Sequence, residues 1–221
     1  MSTQTAPPTA AEPSETGWWR RNRWALAALP VVLALALVAA GDRVRTLWWE
    51  QDLRVPTSAE AGTTLDFHQR VQTGTGGTLP IDVEVHLDHV GDATTLPDDL
   101  ELPAGTRAVQ VDLTLGADPD VVLTGCSLAV RDAAGTRYDY VSNAWGALQP
   151  VVPCVPEDTP GPWPSLGDLD DVLTDPDDPP RPATWSVSPV VVVPEGVDVA
   201  DVVLWWQKPQ YALLEVPSQP S

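Results

Sequence analysis

The sequence predicts an all-β protein, an antiparallel immunoglobulin-like β-sandwich of about seven or eight strands preceded by one transmembrane helix. Three observations predict it. An apolar, uncharged stretch lies near the N-terminus at residues 24–41. After it, apolar and polar residues alternate with a period of two, which is typical of strands with one buried face. Turn-forming residues separate these short runs, and no helical periodicity follows the apolar stretch.

The apolar stretch "WALAALPVVLALALVAAG" has the composition of a membrane span, for which about 17–25 residues suffice. Pro30 is compatible with such a helix, with a local kink. Arg20, Arg21 and Arg23 precede the stretch, and a positive flank favours the cytoplasmic side. We therefore expect a single-pass protein of the cell membrane, anchored in the lipid bilayer, with its C-terminal domain outside the cytoplasm.

Two tryptophan pairs flank this span. Trp18 and Trp19 precede it, and Trp48 and Trp49 follow it. As continuous helix, the distance from Trp19 to Trp48 is about 44 Å, which matches a bilayer with its head groups. Tryptophan prefers the membrane interface, so we predict that the two pairs bracket the span. The alternative is a helix that ends near Arg45, with the second pair packed on the domain.

A cleaved signal peptide is a competing interpretation of the same segment. Val38 and Ala40 fit the small residues expected at positions −3 and −1 of a cut before Gly41. Cleavage would release a secreted protein that binds a ligand or calcium. Retention is favoured because the apolar run exceeds that of a usual signal peptide, and because Trp48 would otherwise have no interfacial role.

The segments on either side of the span are predicted to lack regular structure. Residues 1–23 are predicted to form a disordered cytoplasmic tail, since residues 1–17 are small, polar and rich in proline. Residues 50–62 are predicted to form a linker, and residues 63–217 the sandwich.

Alternation predicts the strands of the sandwich. In "IDVEVHLDH", residues 81–89, and "AVQVDLTLG", residues 108–116, every second residue is apolar. A weaker strand is predicted at residues 65–71. Strands at 123–130 and 137–141, joined by a turn at 132–135, form a candidate hairpin. Three more short strands are predicted near the C-terminus, with an edge or a break at Pro189.

Tryptophans on these strands indicate the core. Trp205 and Trp206 are neighbours on one strand and must point to opposite faces, so we predict one in the core and one at the surface. Trp145 and Trp185 are further candidates to complete or cap the core.

Cys126 and Cys154 are the only cysteines. In an oxidising compartment an isolated pair predicts a disulfide. The pairing does not fit a zinc site, which would need a second close pair of ligands. The bridge would close a loop of about 27 residues and stabilise the fold by about 3.5 kcal/mol in the chain-entropy model.

Residues 155–183 are rich in proline and acidic residues, and we predict an irregular surface loop there. Their carboxylates are candidate calcium ligands: Asp168, Asp170, Asp171, Asp175, Asp177 and Asp178. The spacing differs from an EF-hand loop, because the central glycine and the terminal glutamate are missing. A solvated acidic loop is the simpler interpretation.

The charge of the chain and the motifs it lacks exclude several classes of function. Residues 42–221 hold 29 acidic and 9 basic side chains, a net charge of −20 that would repel nucleic acid. His68, His86 and His89 are predicted to be surface residues, with His89 pointing away from the face of His86. No phosphate loop, nucleophile elbow or His-Glu-x-x-His motif occurs, so we expect no cofactor. The sequence favours non-catalytic binding of a protein or cell-envelope partner; a hydrolase with a carboxylate site is a further alternative.

Two stretches carry a family resemblance. "RRNRWALAALPVVLALALVAAGDRVRTLWW" resembles the anchor of small uncharacterised actinobacterial membrane proteins. "CSLAVRDAAGTRYDY", followed by the second cysteine and "VVVVPEGVDVADVVLWWQKPQYALLEV", is similar to immunoglobulin-like extracytoplasmic domains of unknown function in Gram-positive bacteria. The resemblance implies an anchored or secreted β-sandwich and assigns no catalytic residues.

Overall fold

A computed structural model describes residues 15–74, 76–96, 100–144, 147–163 and 179–217. The chain divides into two compact units, Met1–Trp49 and Glu50–Ser221. The division falls at the second tryptophan pair, directly after the helical segment.

The first unit contains a 30-residue α-helix, α1 (Glu15–Val44), followed by a π-helical turn, Arg45–Trp49. The predicted span at 24–41 lies inside α1. The predicted disordered tail is wrong for residues 15–23, which belong to the helix, while residues 1–14 lie outside the described part. Glu15 favours a helix start there, because its negative charge faces the positive end of the helix dipole. No proline interrupts the chain between Pro13 and Pro30.

The described part of the second unit contains twelve strands. They are β1 (Val55–Ala59), β2 (Leu65–Gln72), β3 (Thr78–Asp92), β4 (Thr106–Gly116), β5 (Ser127–Asp132), β6 (Arg137–Asp139), β7 (Asn143–Ala144), β8 (Ala147–Leu148), β9 (Thr184–Val187), β10 (Val190–Pro194), β11 (Val199–Trp205) and β12 (Gln210–Glu215).

These strands form two packed sheets and one small hairpin. The first sheet has the order β1-β12-β11-β5-β6, in which β12, β11 and β5 follow the G-F-C order of immunoglobulin-like domains. The second has the order β10-β4-β3-β2, with β9 also paired to β4, and β7 pairs with β8. All pairings are antiparallel except β1 with β12, which is parallel. The predicted all-β sandwich after an N-terminal apolar helix is confirmed.

The strand count exceeds the prediction for three reasons. One predicted strand is interrupted at Pro189 and becomes β9 and β10. The short strands β7 and β8 carry no alternation that a sequence pattern could detect. The third reason is β1, which lies inside the predicted linker at residues 50–62.

The linker prediction is therefore wrong for residues 55–59. Strand β1 pairs in register with β12, from Val55 opposite Gln210 to Ala59 opposite Leu214. The preceding residues are attached as well, because the amides of Arg54 and Val55 both donate to the carbonyl of Pro209 at 2.9 and 3.0 Å. The sandwich thus begins before residue 63.

The predicted hairpin is present, with a shorter first strand. Residues 123–126 form a turn, closed by the Cys126 amide on the Leu123 carbonyl at 3.2 Å, and β5 begins only at Ser127. Asp132 then closes the β5–β6 turn, because its carboxylate accepts from the amides of Ala134 and Thr136 at 2.9 and 2.8 Å. These bonds, led by the one from Thr136, hold the pKa of Asp132 below its ordinary value.

The predicted alternation is confirmed along β3 as far as a bulge. Ile81, Val83 and Val85 are buried, and their polar neighbours face outward. The register with β4 then shifts between Leu87 and His89. The extra residue leaves His89 exposed, which agrees with the prediction of a surface residue; the opposite orientation to His86 was expected only for an uninterrupted strand.

The core lies between the sheets and is almost entirely apolar. Phe67 from one sheet stacks on Trp206, which follows β11 in the other, with ring centroids 5.5 Å apart. Buried Gln69 adds a polar connection, donating to the Gln207 carbonyl. Near the end of β11, the two sheets are therefore connected by the Phe67–Trp206 stack and by the side-chain amide of Gln69.

Candidate functional site

The first candidate is the surface of α1. Its segment Gly17–Gly41 is long and apolar enough to cross a membrane, and its apolar window is not buried. Leu35, Leu37 and Val38 are 64%, 69% and 81% exposed. Burying such side chains out of water is worth about 1.5–3 kcal/mol each, so this surface favours a nonaqueous environment. A signal sequence meets the same criteria.

The tryptophan pairs lie near the ends of this helical segment. Trp18 and Trp19 are 56% and 62% exposed, and Trp48 and Trp49 are 62% and 46% exposed. In the first pair the rings meet edge to face, with centroids 5.3 Å apart. The α-helix ends at Val44, next to Arg45, and a π-helical turn continues through Trp49. The alternative in which the second pair packs on the domain stays a prediction. The interfacial role of the four side chains stays a prediction.

The second candidate is an open groove of about 730 Å³ in the sandwich. One wall is formed by residues 148–157, and the other by residues 186–190, where β9 ends and β10 begins. Val152 and Val155 line it as buried side chains, whereas Leu148 is 84% exposed. The groove thus combines buried apolar side chains, polar side chains such as Ser186 and Ser188, and one strongly exposed leucine.

Tyr140 supplies a polar group in the groove. Its hydroxyl donates to the Pro150 carbonyl at 2.7 Å. Burial, and then the negative charge of Glu157, raise the pKa of Tyr140 above its ordinary value. The phenol is therefore neutral at physiological pH and holds the wall containing Pro150 in place.

The disulfide fixes the same wall. Cys126 and Cys154 are paired as predicted, with Cα atoms 6.1 Å apart. Trp185 on β9 donates from its buried indole nitrogen to the Cys154 carbonyl at 2.9 Å. The hydrogen bond thereby connects the first wall to β9, and the disulfide connects the same wall to the residue before β5.

Arg181 is a structural residue that the sequence pattern missed. It is 1% exposed, its guanidinium donates to the Asp118 carbonyl at 2.7 Å, and it lies over the Trp185 ring at 4.7 Å from the centroid. Burial lowers the pKa of Arg181, while Asp118 opposes this shift. Gly161, with a φ of 80°, passes so close that a Cβ there would lie 2.8 Å from Nη1. The sequence offered one indication that Arg181 has a special role: it is the single basic residue within 155–183.

The histidines lie on the outer face of the second sheet. His68 and Asp82 are 2.7 Å apart, and their side chains are 71% and 59% exposed. His86 lies 3.8 Å from Asp88. Such solvated pairs are ordinary surface interactions. Within the described ranges, no group of three or more His, Cys, Asp and Glu residues could hold a metal ion.

Several predicted residues lie outside the described part of the chain. These are Trp145 and the six calcium candidates, Asp168, Asp170, Asp171, Asp175, Asp177 and Asp178. The calcium hypothesis and the carboxylate-hydrolase alternative both stay predictions.

Comparison with known proteins gives fold-level similarity alone. No family model matches the sequence, and the comparison with curated proteins yields no match. Among solved structures, the secreted protein MPT63 from Mycobacterium tuberculosis is similar over 73% of this chain and 98% of its own, with a TM-score of 0.38 and 11% identity. An uncharacterized β-sandwich protein from Clostridium difficile 630 is similar over 73% of this chain and 96% of its own, with a TM-score of 0.32 and 10% identity.

Proposed function

We propose that this protein is a single-pass membrane protein whose β-sandwich lies outside the cytoplasm and binds a protein or cell-envelope partner without catalysis. The observation that carries the proposal is the exposed apolar surface of α1 between Gly17 and Gly41. Insertion into a bilayer would bury that surface in hydrocarbon. It would also place the exposed tryptophan pairs near the two interfaces, where their rings are most stable.

The orientation is supported by charge and by cysteine chemistry. Arg20, Arg21 and Arg23 precede the span, against Arg43 and Arg45 after it, so the arginine bias is small but favours a cytoplasmic N-terminus. The disulfide supports the same orientation more strongly, because such bonds persist outside the cytoplasm.

A binding role is supported by the groove. Its lining mixes apolar and polar side chains, and Leu148 in that lining is 84% exposed. Exposed apolar side chains next to a concavity are typical of interaction sites.

The anchor is tested by the mature N-terminus and by membrane retention. We expect the full chain to remain in the membrane pellet after an alkaline carbonate wash, with residues before Gly41 still present by mass spectrometry. Protease added to intact cells should digest the sandwich. A soluble product that begins at Gly41 would instead support the secreted alternative.

The variant Ala40→Leu is the matched control. It replaces the small residue required before a signal-peptidase cut and leaves an apolar helix intact. Under the anchor proposal it should fractionate like the natural protein. If the natural protein is soluble and only Ala40→Leu stays in the membrane, the segment is a cleaved signal.

A further inference from the structure

Strands β9 and β10 form one edge of the second sheet. Both pair with β4, and neither has another strand partner among the described residues. Ser186 lies opposite Thr114, and Val190 lies opposite Gln110. Both strands advance by four residues between these pairs, so a single register continues across the interruption at Pro189.

The register tells which backbone groups of this edge point away from β4. Ala117 donates to the Ala183 carbonyl and Val111 to the Pro189 carbonyl, both at 3.0 Å. In an antiparallel ladder every second residue bonds to the partner strand, so the odd-numbered residues of this segment face β4. The N–H and C=O groups of Ser186 and Ser188 therefore point outward, at an edge that is free of other strands in the described part of the chain.

Pro189 does not block that edge. A proline often protects a sheet edge by removing an outward N–H. Pro189 occupies a position that faces β4, so the missing N–H is on the inner side of the strand. The outward donors of its neighbours Ser188 and Val190 remain.

The edge also lacks the charges that usually discourage pairing. No charged side chain occurs from Thr184 to Pro194. By contrast, the edge strand β2 carries Asp66 and Arg70, and the edge strand β6 carries Arg137 and Asp139. Charged side chains are a common means of preventing strand addition, and β9–β10 does not use it.

The groove lies along this edge. Residues 186–190 form one of its walls, and both Ser186 and Ser188 are exposed. Apolar side chains on the facing wall, among them Val152 and Leu148, offer contacts to alternate side chains of an added strand. Backbone bonds on one side and apolar pockets on the other are the two elements of recognition by β-strand addition.

Charge indicates the kind of segment that fits. Among the described residues, Glu157 is the only charged one that lines the groove, and residues 42–221 carry a net charge of −20. A segment with net positive charge is attracted by this field, whereas a second copy of the same domain is repelled.

We propose that the free edge of β9 and β10 binds an extended segment of a partner protein, with alternating apolar residues and a net positive charge, as an added β-strand in the groove. The inference rests on the proposed binding function and gives that function a site and a partner chemistry.

The direct test uses a synthetic peptide as probe and the full chain in detergent micelles. The peptide Lys-Thr-Val-Thr-Val-Thr-Val-Thr-Lys should bind, measured by fluorescence polarisation, and the same peptide with glutamate at both ends should bind much more weakly. In hydrogen exchange, the peptide should slow the amides of Ser186 and Ser188. It should leave Val187 unchanged, because that amide already faces β4.

Two variants at one position isolate the backbone edge. Ser186→Pro removes one outward N–H and keeps the ladder to β4, and we expect it to weaken peptide binding about tenfold. Ser186→Ala keeps the N–H and should bind as the natural chain does. Equal thermal unfolding of the two variants would show that the loss of binding is not a folding defect. If Ser186→Pro unfolds at a lower temperature, the site is tested instead in the natural chain, by whether the peptide slows exchange of the Ser186 and Ser188 amides.

Four results would overturn the proposal. Equal binding by Ser186→Pro and Ser186→Ala would exclude the edge, and equal binding of both peptides would exclude charge selection. Slow exchange of the Ser186 amide without peptide would mean that the edge is already covered. A dimer in sedimentation would then identify a second copy as the cover, and a monomer would identify the chain itself. Capture of the same envelope protein by both variants would support the proposed binding function but refute the edge of β9 and β10 as its site.

Discussion

At the scale of single residues, neighbouring tryptophans have different roles. Trp206 is 9% exposed, donates to the buried Leu123 carbonyl at 3.0 Å and stacks on Phe67. Trp205 lies on the other face of the strand, between Arg137 and Lys208, whose charged groups are 5.5 and 5.9 Å from its ring centroid. The prediction of one ring in the core and one nearer the surface therefore agrees with the structure.

This difference predicts unequal costs for the same substitution. Trp206→Phe leaves the Leu123 carbonyl without its donor in the core and should lower the free energy of unfolding by about 1–3 kcal/mol. Trp205→Phe keeps an aromatic face for the two cations and should cost less than about 1 kcal/mol. Urea unfolding of both variants measures the difference, and equal costs would contradict the assignment.

Other residues show why local patterns fail. The alternation along β3 would continue unbroken through His89, but a bulge interrupts it there, and this bulge depends on the register with β4. Arg181 lies in a proline-rich acidic segment that favours solvent, and it is buried because Trp185 and the Asp118 carbonyl offer partners. The Asp118 carbonyl is 63 residues from Arg181 in sequence, so no local pattern could indicate this burial.

At the scale of elements, β1 is the main difference between the expected and the observed chain. Its residues are mostly exposed and include Pro56, so nothing in the segment resembles a half-buried strand. It forms because β12 offers a parallel edge, and the Val55 amide donates to the Pro209 carbonyl at 3.0 Å. The partner lies more than 150 residues away, which a local pattern cannot indicate.

The pairing of β1 can be tested with two adjacent prolines. The parallel register directs the N–H of Thr57 towards β12 and that of Ser58 away from it. Thr57→Pro should therefore lower the free energy of unfolding by about 1–3 kcal/mol, since a ladder bond is lost. Ser58→Pro serves as the control and should have a smaller effect. The opposite order in urea unfolding would show that β1 has another register.

At the scale of the whole molecule, the disulfide connects distant parts of the sandwich. Cys126 precedes β5, and Cys154 is attached to β9 through the Trp185 indole. The bond therefore restricts the segment between β5 and β9 as well as the loop it closes.

The double variant Cys126→Ala/Cys154→Ala should lose about 2–4 kcal/mol of unfolding free energy, because its unfolded chain regains the freedom of the open loop. Reductant should lower the thermal midpoint of the natural protein in the same direction. It should leave the double variant unchanged, which controls for other effects of the reductant. A natural protein insensitive to reductant under unfolding conditions would contradict a stabilising bridge.

The sequence by itself determined the elements whose signal is local. The apolar stretch at 24–41, the alternation in β3 and β4 and the Asp132 turn all follow from side chains that are neighbours along the chain. The only two cysteines could likewise be paired with each other from the sequence, given an oxidising compartment. Burial of one face and the geometry of a turn are fixed over a few residues, so a pattern can detect them.

Only the tertiary structure decided which strands meet. Four features depend on residues that are far apart in the chain: the parallel partner of β1, the bulge at His89, the burial of Arg181, and the edge formed by β9 and β10. Strand pairing is made by backbone groups that every residue carries, so side-chain patterns do not specify it. For the same reason, the groove beside β9 and β10 could be found only once both of its walls were in place.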